Sequence, residues 1–436
     1  MLLNLAYLLA LLVLSPWLVW RSVRTGRYRR GLAAKLFGRV TMPNPHGKPV
    51  AWFHAVSVGE VNLLGTLVPA FQRQHPNFLI VVSSTTDTGL AEARRRFPSL
   101  AVIPWPFDFS WAVASTLDAV TPAIVVLTES ELWPNFLTEA KRRNVPVVLV
   151  NARMSPRSFG RLKRFPGLAR RLFANVTRFA VQETEYAERF QNLGVHEAKL
   201  IVTGSVKYDG ATGERNSVKI RALACVLGLG TAPMSSHVVL LAGSTHAPEE
   251  AIILGVFARL RERFPHLRLI LVPRHPDRFE EVARLVEQSG IPFVRRSRID
   301  SPCVEMPPIV LLDTVGELGA AWGLADVGFV GGTLDGHRGG QSMIEPAGYG
   351  VPSVFGPHMW NFRDAARRLV EVGGAAMVRD AAGLEAELTK LIADAGLRER
   401  MGNSARELVR RQQGATARTL AVIAAILPPT TVSQAA

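Results

Sequence analysis

From Val50 onward the chain alternates between two patterns. Short, nearly uninterrupted apolar runs rich in Val, Ile, Leu and Phe are followed by stretches in which apolar residues recur every three or four positions. The first pattern predicts strands buried on both faces, the second amphipathic helices. In the first half, strands are predicted at 50–54, 79–83, 100–103, 123–127, 147–150 and 179–182, with helices at 88–97 and 131–143 among the connections. A second series places strands at 238–242, 267–272, 310–312, 327–330 and 353–355, and helices at 248–264, 276–288 and 361–372. Such alternation implies parallel sheets covered by helices, here two Rossmann-like α/β domains. The join is expected within 207–235, around Gly210, Gly213, Gly228 and Gly230. Residues 397–427 read as two helices and 430–436 as a disordered tail. The expected division is 1–20, 21–207, 208–410 and 411–436.

The N-terminus breaks the alternation. Residues 2–20 carry no charge and are mostly Leu, Val, Ala and Trp. As a helix this run is about 28 Å long, close to a bilayer core. Arg21, Arg24, Arg27, Arg29, Arg30, Lys35 and Arg39 follow it, and no acid occurs before Glu60. That polarity is the reverse of a cleaved signal peptide and places the body on the cytoplasmic side of a membrane. The run is expected to be a membrane anchor, spanning or lying in the interface, since Pro16 can kink it and Trp17 and Trp20 favour that depth. The alternative is a buried core helix.

Charge sharpens the division. Of a net formal charge of +15, residues 1–207 hold +14, and residues 208–436 are nearly balanced. A basic half beside an amphoteric one points to an anionic surface or substrate rather than to nucleic acid. Residues 141–178 contain eleven Lys and Arg and no acid, which suits anionic lipid headgroups or a phosphorylated acceptor; a solvated helix face is the plainer reading. Two cysteines, Cys225 and Cys303, have no metal-ligand or disulfide spacing. There is no GxxxxGK[ST], no Rossmann GxGxxG in place, no HExxH and no paired CxxC. This disfavours a nucleotide hydrolase, a dehydrogenase and a zinc enzyme.

In doubly wound sheets ligands bind beyond the carboxyl ends of strands, and the unusual residues cluster there. Glu60 follows the turn after 50–54; Ser57-x-x-Glu60 leaves it open between a capping box and a general base. After 123–127 comes Thr128-Glu129-Ser130-Glu131. Thr128-x-x-Glu131 fits a second capping box and leaves Glu129 free for chemistry. Lys207 stands at the expected join, as a cleft cation or a plain surface lysine. In the second half, Gly243-Ser244-Thr245-His246, Pro273-Arg274, Val315-Gly316-Glu317 and Ser342-Met343-Ile344-Glu345 are polar or glycine-bearing strand ends. Together they suit a nucleotide, with Arg274 on a phosphate and Glu345 on a ribose. Ser342-x-x-Glu345 also has capping-box spacing.

Taken as an ordered set, several of these segments resemble the Kdo transferase family, which transfers 3-deoxy-D-manno-octulosonic acid. They are Ser57-Val58-Gly59-Glu60, Glu129-x-Glu131-Leu132-Trp133-Pro134-Asn135, Asn151-Ala152-Arg153, Thr203-Gly204-Ser205-x-Lys207 and Pro273-Arg274-His275-Pro276. Asp313-Thr314-x-Gly316-Glu317-Leu318 and Gly356-Pro357-His358-x-x-Asn361-Phe362 extend the match to nearly the whole chain. The resemblance implies a GT-B fold, two Rossmann-like domains facing a cleft, with an N-terminal membrane-anchor helix. It implies inverting transfer of Kdo from CMP-Kdo to lipid IVA at the bacterial inner membrane, with no metal or other cofactor. Glu60 is then the base, and Glu129 and Lys207 stabilise the transition state. CMP would lie on Pro273, Arg274, Val315, Gly316, Glu317, Ser342, Met343, Ile344 and Glu345. The chain departs from the family at Gln341-Ser342, where His-Asn is common, and the turn 335–340 is longer. A UDP-sugar transferase and a catalytically silent, membrane-anchored binding protein are the competing readings.

Overall fold

The computed structural model describes residues 2–25, 31–42, 44, 46–130, 132–211, 213–229 and 237–427. The tail expected at 430–436 lies outside them, as do Glu131, Gly230 and Arg27, Arg29 and Arg30.

The chain folds into two compact units. One takes the residues up to Asp209 together with the chain from Gln413 onward, and the other is Gly210–Gln412. The segment set apart at 411–436 thus rejoins the first unit. In its helix Ala415–Ala424, Leu420 and Ile423 pack into the first unit's core.

The first unit holds seven parallel strands: β1 (Val50–Ala55), β2 (Leu79–Ser84), β3 (Ala101–Pro104), β4 (Pro122–Thr128), β5 (Val147–Ala152), β6 (Arg178–Val181) and β7 (Leu200–Val202). Their order is β3-β2-β1-β4-β5-β6-β7. Successive side chains of β1 go to opposite faces, as the period of two demands. Val50 and Trp52 join one core with Val125, Leu127 and Phe136. Ala51, Phe53 and Ala55 join the other with Leu64, Leu67 and Phe71 of the helix Val58–Gln74. Both faces are covered, which is why VAWFHA reads as a continuous apolar run.

The second unit has β8 (Val238–Thr245), β9 (Leu267–Pro273), β10 (Phe293–Arg295), β11 (Ile309–Leu311), β12 (Val327–Val330), β13 (Ser353–Phe355) and β14 (Ala375–Met377). Their order is β10-β11-β9-β8-β12-β13-β14, all parallel. Three strands went unpredicted, β7, β10 and β14. Each has three residues and is an edge strand, too short for a periodic signal.

The N-terminal run forms a helix over Leu2–Thr25 with Pro16 inside it. Taken over the described residues, no helix is long and apolar enough to cross a membrane. The buried-core alternative does not hold. Leu9, Leu12 and Val13 are 55%, 70% and 77% exposed, and Leu5, Leu8 and Leu14 are exposed as well.

Candidate active site

Each sheet reverses its winding direction once. In the first the reversal falls between β1 and β4, in the second between β8 and β12. Loops diverge at such a point and leave room for ligands outside the carboxyl ends. Glu60 and Glu129 stand on either side of the first reversal, just past β1 and β4. Spacing along the chain shows strand ends but not strand order, so their convergence was not legible beforehand.

Glu60 sits in the first turn of the helix Val58–Gln74 and is 9% exposed. Its Oε2 accepts from the Val56 backbone N–H at 2.9 Å and from the Thr128 hydroxyl at 2.6 Å, and its Oε1 from the Ser57 hydroxyl at 3.1 Å. No capping box forms. Ser57 is the N-cap but its side chain accepts no helix N–H, and Glu60 reaches the amide of Val56 rather than that of Ser57. Burial pushes the Glu60 carboxyl above the usual range; the bonds from Thr128 and Val56 pull it partly back, and the charge of Glu129 adds to the rise.

The second expected cap involves Glu131, which lies outside the described residues, and Thr128 is not the N-cap of a helix. Thr128 ends β4, and the next helix, Pro134–Arg142, starts six residues later with Trp133 at its N-cap. Asp108 accepts the Asn135 and Phe136 N–H groups at 3.0 and 2.8 Å, so Pro134-Asn135 serves the helix start. The Thr128 hydroxyl faces Glu60 and, at 3.0 Å, the His54 carbonyl.

Glu129 has φ +57°, a backbone region that side chains rarely occupy. It is 7% exposed and held between two cations, Lys207 Nζ at 2.9 Å from Oε1 and Arg153 Nε at 2.8 Å from Oε2. Lys207 lies on the short turn Val206–Tyr208, whose Val206 N–H donates to Asn151 Oδ1 at 3.2 Å. Fully buried Asn151, itself at φ +52°, thus ties the end of β5 to the lysine turn, and its Nδ2 has no partner. Glu60, Glu129 and Lys207 are therefore brought together. Arg153, the second cation on Glu129, stood in the motif Asn151-Ala152-Arg153 but was given no role as a site residue. Beneath them lies His54, fully buried, stacked on Trp105 and bonded to Ser83 through Nδ1 at 2.9 Å. Burial lowers its pKa to about 3 and keeps the ring neutral.

In the second unit the expected nucleotide segments follow four adjacent strands, β11, β9, β8 and β12. Pro273 ends β9 buried, and Arg274 beyond it is exposed, its N–H bonded to the Thr245 carbonyl at 3.0 Å. Val315 is 78% exposed and Gly316 has φ +96°. Glu317 is engaged by Arg296 at 3.1 Å and by the Thr314 hydroxyl. Ser342 forms no capping box. The helix is Ile344–Gly348 with Met343 at its N-cap, and the Ser342 hydroxyl accepts from Ile344 N–H at 3.3 Å. Met343 and Ile344 are buried. Glu345 is crowded by protein yet reachable from solvent. The crowding raises its carboxyl and Arg274 draws it down.

Glu249 was missed. It is fully buried and accepts from the N–H groups of Gly332 at 2.7 Å, Thr333 at 2.8 Å, Leu334 at 3.1 Å and His246 at 3.1 Å. One carboxylate thereby ties the end of β8 to the glycine turn after β12, across the reversal. His246 is 3% exposed with both ring nitrogens unpartnered; burial lowers its pKa to about 4, with Arg338 and His275 adding to the fall. Among the described residues there is no cluster of three His, Cys, Asp or Glu able to hold a metal ion.

Comparison with known proteins agrees with this geometry. The family described as 3-deoxy-D-manno-octulosonic-acid transferase (kdotransferase) matches residues 25–210. The 3-deoxy-D-manno-octulosonic acid transferase of Haemophilus influenzae is 34% identical over 403 residues, 92% of each chain.

The chain belongs to the Kdo transferase family.

It is a Kdo-dependent glycosyltransferase. Two solved structures share its architecture of two parallel-sheet α/β domains. UDP-GlcNAc 2-epimerase from Neisseria meningitidis is 12% identical, with a TM-score of 0.57 over 87% of this chain and all of that one. A glycosyltransferase from Rickettsia africae is 11% identical, with a TM-score of 0.54 over 88% of this chain and all of that one. At such identities the likeness concerns the fold.

Proposed function

We propose that this protein moves Kdo from CMP-Kdo to a sugar hydroxyl of a lipid A precursor such as lipid IVA, with inversion at the anomeric carbon. The observation that carries this reading is the pairing of unlike carboxylates. Glu60 is buried, forms no ion pair among the described residues and has a raised pKa, the state of a carboxylate ready to take a proton. Glu129 is locked between Lys207 and Arg153, and its charge is spent on holding them.

In the proposed reaction the acceptor hydroxyl attacks the anomeric carbon as its proton passes to Glu60. The bond from that carbon to the phosphate oxygen of CMP breaks, and CMP leaves with the electron pair. The second unit would hold the nucleotide, with Arg274 on the phosphate and Glu345 on the ribose, while Glu249 fixes the turn after β12 through the N–H groups of Gly332, Thr333 and Leu334. Lys207 and Arg153 offset negative charge on the acidic sugar.

We place the enzyme at the cytoplasmic face of the inner membrane, with the helix Leu2–Thr25 in the interface and anionic lipids against the basic face. Both flanks of that helix support this. At its start Asn4 bonds Ser110 at 2.7 Å and Tyr7 bonds Asp108 at 3.0 Å. Beyond its end the Phe107 N–H donates to the Lys35 carbonyl at 2.7 Å, and Trp111 Nε1 to that of Leu36 at 3.0 Å. The chain leaves the body and returns to one patch, with apolar side chains exposed between.

Incubating the purified protein with CMP-Kdo or with UDP-sugars, each with lipid IVA, tests the reading by mass spectrometry. A Kdo-bearing product from CMP-Kdo alone is expected. Turnover only with a UDP-sugar contradicts it.

A further inference from the structure

Next to Glu129 the first unit contains a cavity of about 580 Å³ that the chemistry above does not use. Its floor is apolar and belongs to the core: Leu149, Phe173 and Phe190. Its walls come from the helices Pro156–Lys163 and Pro166–Ala174, with Leu162 and Leu172 facing in. Ser130, the neighbour of Glu129, also lines it. Its volume is within the range of small-molecule sites.

Three features of this cavity point the same way. The lining is apolar, so it suits a hydrocarbon better than a sugar. Arg161 and Arg164 also line it, within the acid-free segment 141–178, so an anionic group is favoured beside the hydrocarbon. Phe165, another lining residue, on the turn between the two helices, and Leu168, in the first turn of the second helix, are 64% and 60% exposed, a place where such side chains reach into a lipid surface.

We propose that this cavity takes one acyl chain of the acceptor, with Arg161 and Arg164 against a phosphate of the same molecule. The inference rests on the acceptor being an anionic lipid. It adds that the enzyme selects its acceptor partly by the chain, and that the chain sets where the sugar hydroxyl lies relative to Glu60. Ser130 lines the cavity, and its hydroxyl donates to the Arg153 carbonyl at 2.8 Å. Ser130 thus adjoins Glu129 along the chain and Arg153 through this bond.

The test is the ratio of kcat/KM for an acylated, bisphosphorylated sugar lipid to that for its deacylated counterpart. Two variants fill the cavity, Leu162→Trp and Leu172→Trp, each checked for unchanged melting. The ratio is expected to fall at least about ten-fold, since two buried methylenes are worth that much. A ratio equal to that of the parent protein overturns the proposal. Calorimetry with dodecyl phosphate, below its micelle concentration, reads the site without turnover. Binding that weakens ten-fold or more in Leu172→Trp is expected. If dodecyl phosphate binds but the ratio is unmoved, the cavity holds some other lipid and the acceptor assignment fails. If no Kdo transfer occurs at all, the functional reading fails while the dodecyl phosphate result still judges the cavity.

Discussion

The Thr128 hydroxyl lies 2.6 Å from Glu60 Oε2 and 3.0 Å from the His54 carbonyl. It has one proton and two acceptors. With Glu60 ionised, the shorter, charge-assisted contact takes that proton. Once Glu60 has accepted a proton, it can donate to the Thr128 oxygen while Thr128 donates to His54. Both protonation states are therefore satisfied, as a carboxylate that cycles between them requires.

Removing this hydroxyl should show in the pH profile. The Thr128 bond favours ionised Glu60, so Thr128→Val should raise the Glu60 pKa further. The acid limb of kcat/KM should move to higher pH, whereas Thr128→Ser should leave it in place. Profiles of the three proteins check this, and equal limbs in all three would contradict the coupling.

Glu60→Gln separates base from structure. The amide keeps an acceptor for Val56 and Thr128 and presents its NH₂ to Ser57. Burial raises the folded pKa of Glu60 above its unfolded value. The folded state therefore binds that proton more tightly, and the associated stability is full below the unfolded pKa and lost as pH rises through the folded pKa. The glutamine is spared that loss. Glu60→Gln should melt at or above the parent temperature at neutral pH, and the gap should close as pH falls below the ordinary glutamate range. Thermal melts across pH check the sign.

Glu129 holds a backbone conformation that costs a side chain about 1–2 kcal/mol and glycine nothing. Glu129→Gly gains that relief and leaves Lys207 and Arg153 without their carboxylate. Transfer should fall by two orders of magnitude or more, about 3 kcal/mol of barrier. Melting should change by less than about 2 kcal/mol. A loss of activity that merely follows a loss of fold would contradict the assigned role.

The exposed midsection of the N-terminal helix should govern membrane association. Leu12→Asp with Val13→Asp should release the protein from anionic vesicles, with binding of a CMP analogue unaffected. Co-sedimentation measures this. A cysteine at Leu5, exposed between the docked Asn4 and Tyr7, should react with an impermeant maleimide from the side on which the body lies. Protection there would instead indicate a spanning helix.

The long strands, the two-domain organisation and the site carboxylates could be read from the sequence because each leaves a local mark. Buried parallel strands are apolar runs, and a carboxylate at a strand end is conspicuous beside one. Three things left no such mark. Edge strands of three residues lack a period. The roles of Glu249 and Arg153 depend on which strands become neighbours, which the sequence states nowhere. Capping-box spacing misled in three different ways: Ser57 is an N-cap, but Glu60 bonds the Val56 amide and Thr128 instead; the helix near Ser342 starts one residue late, with Met343 at its N-cap; and Thr128 caps no helix. At Thr128 the helix starts later, and the hydroxyl is used across the sheet instead.

The central claim is that Glu60 takes the acceptor's proton. Single-turnover transfer from CMP-Kdo to lipid IVA by the parent protein and by Glu60→Gln, at matched donor occupancy, tests it most directly. General-base loss should slow the glutamine protein by about 10²–10⁴-fold, with CMP affinity unchanged. A glutamine protein that transfers Kdo at the parent rate would contradict it.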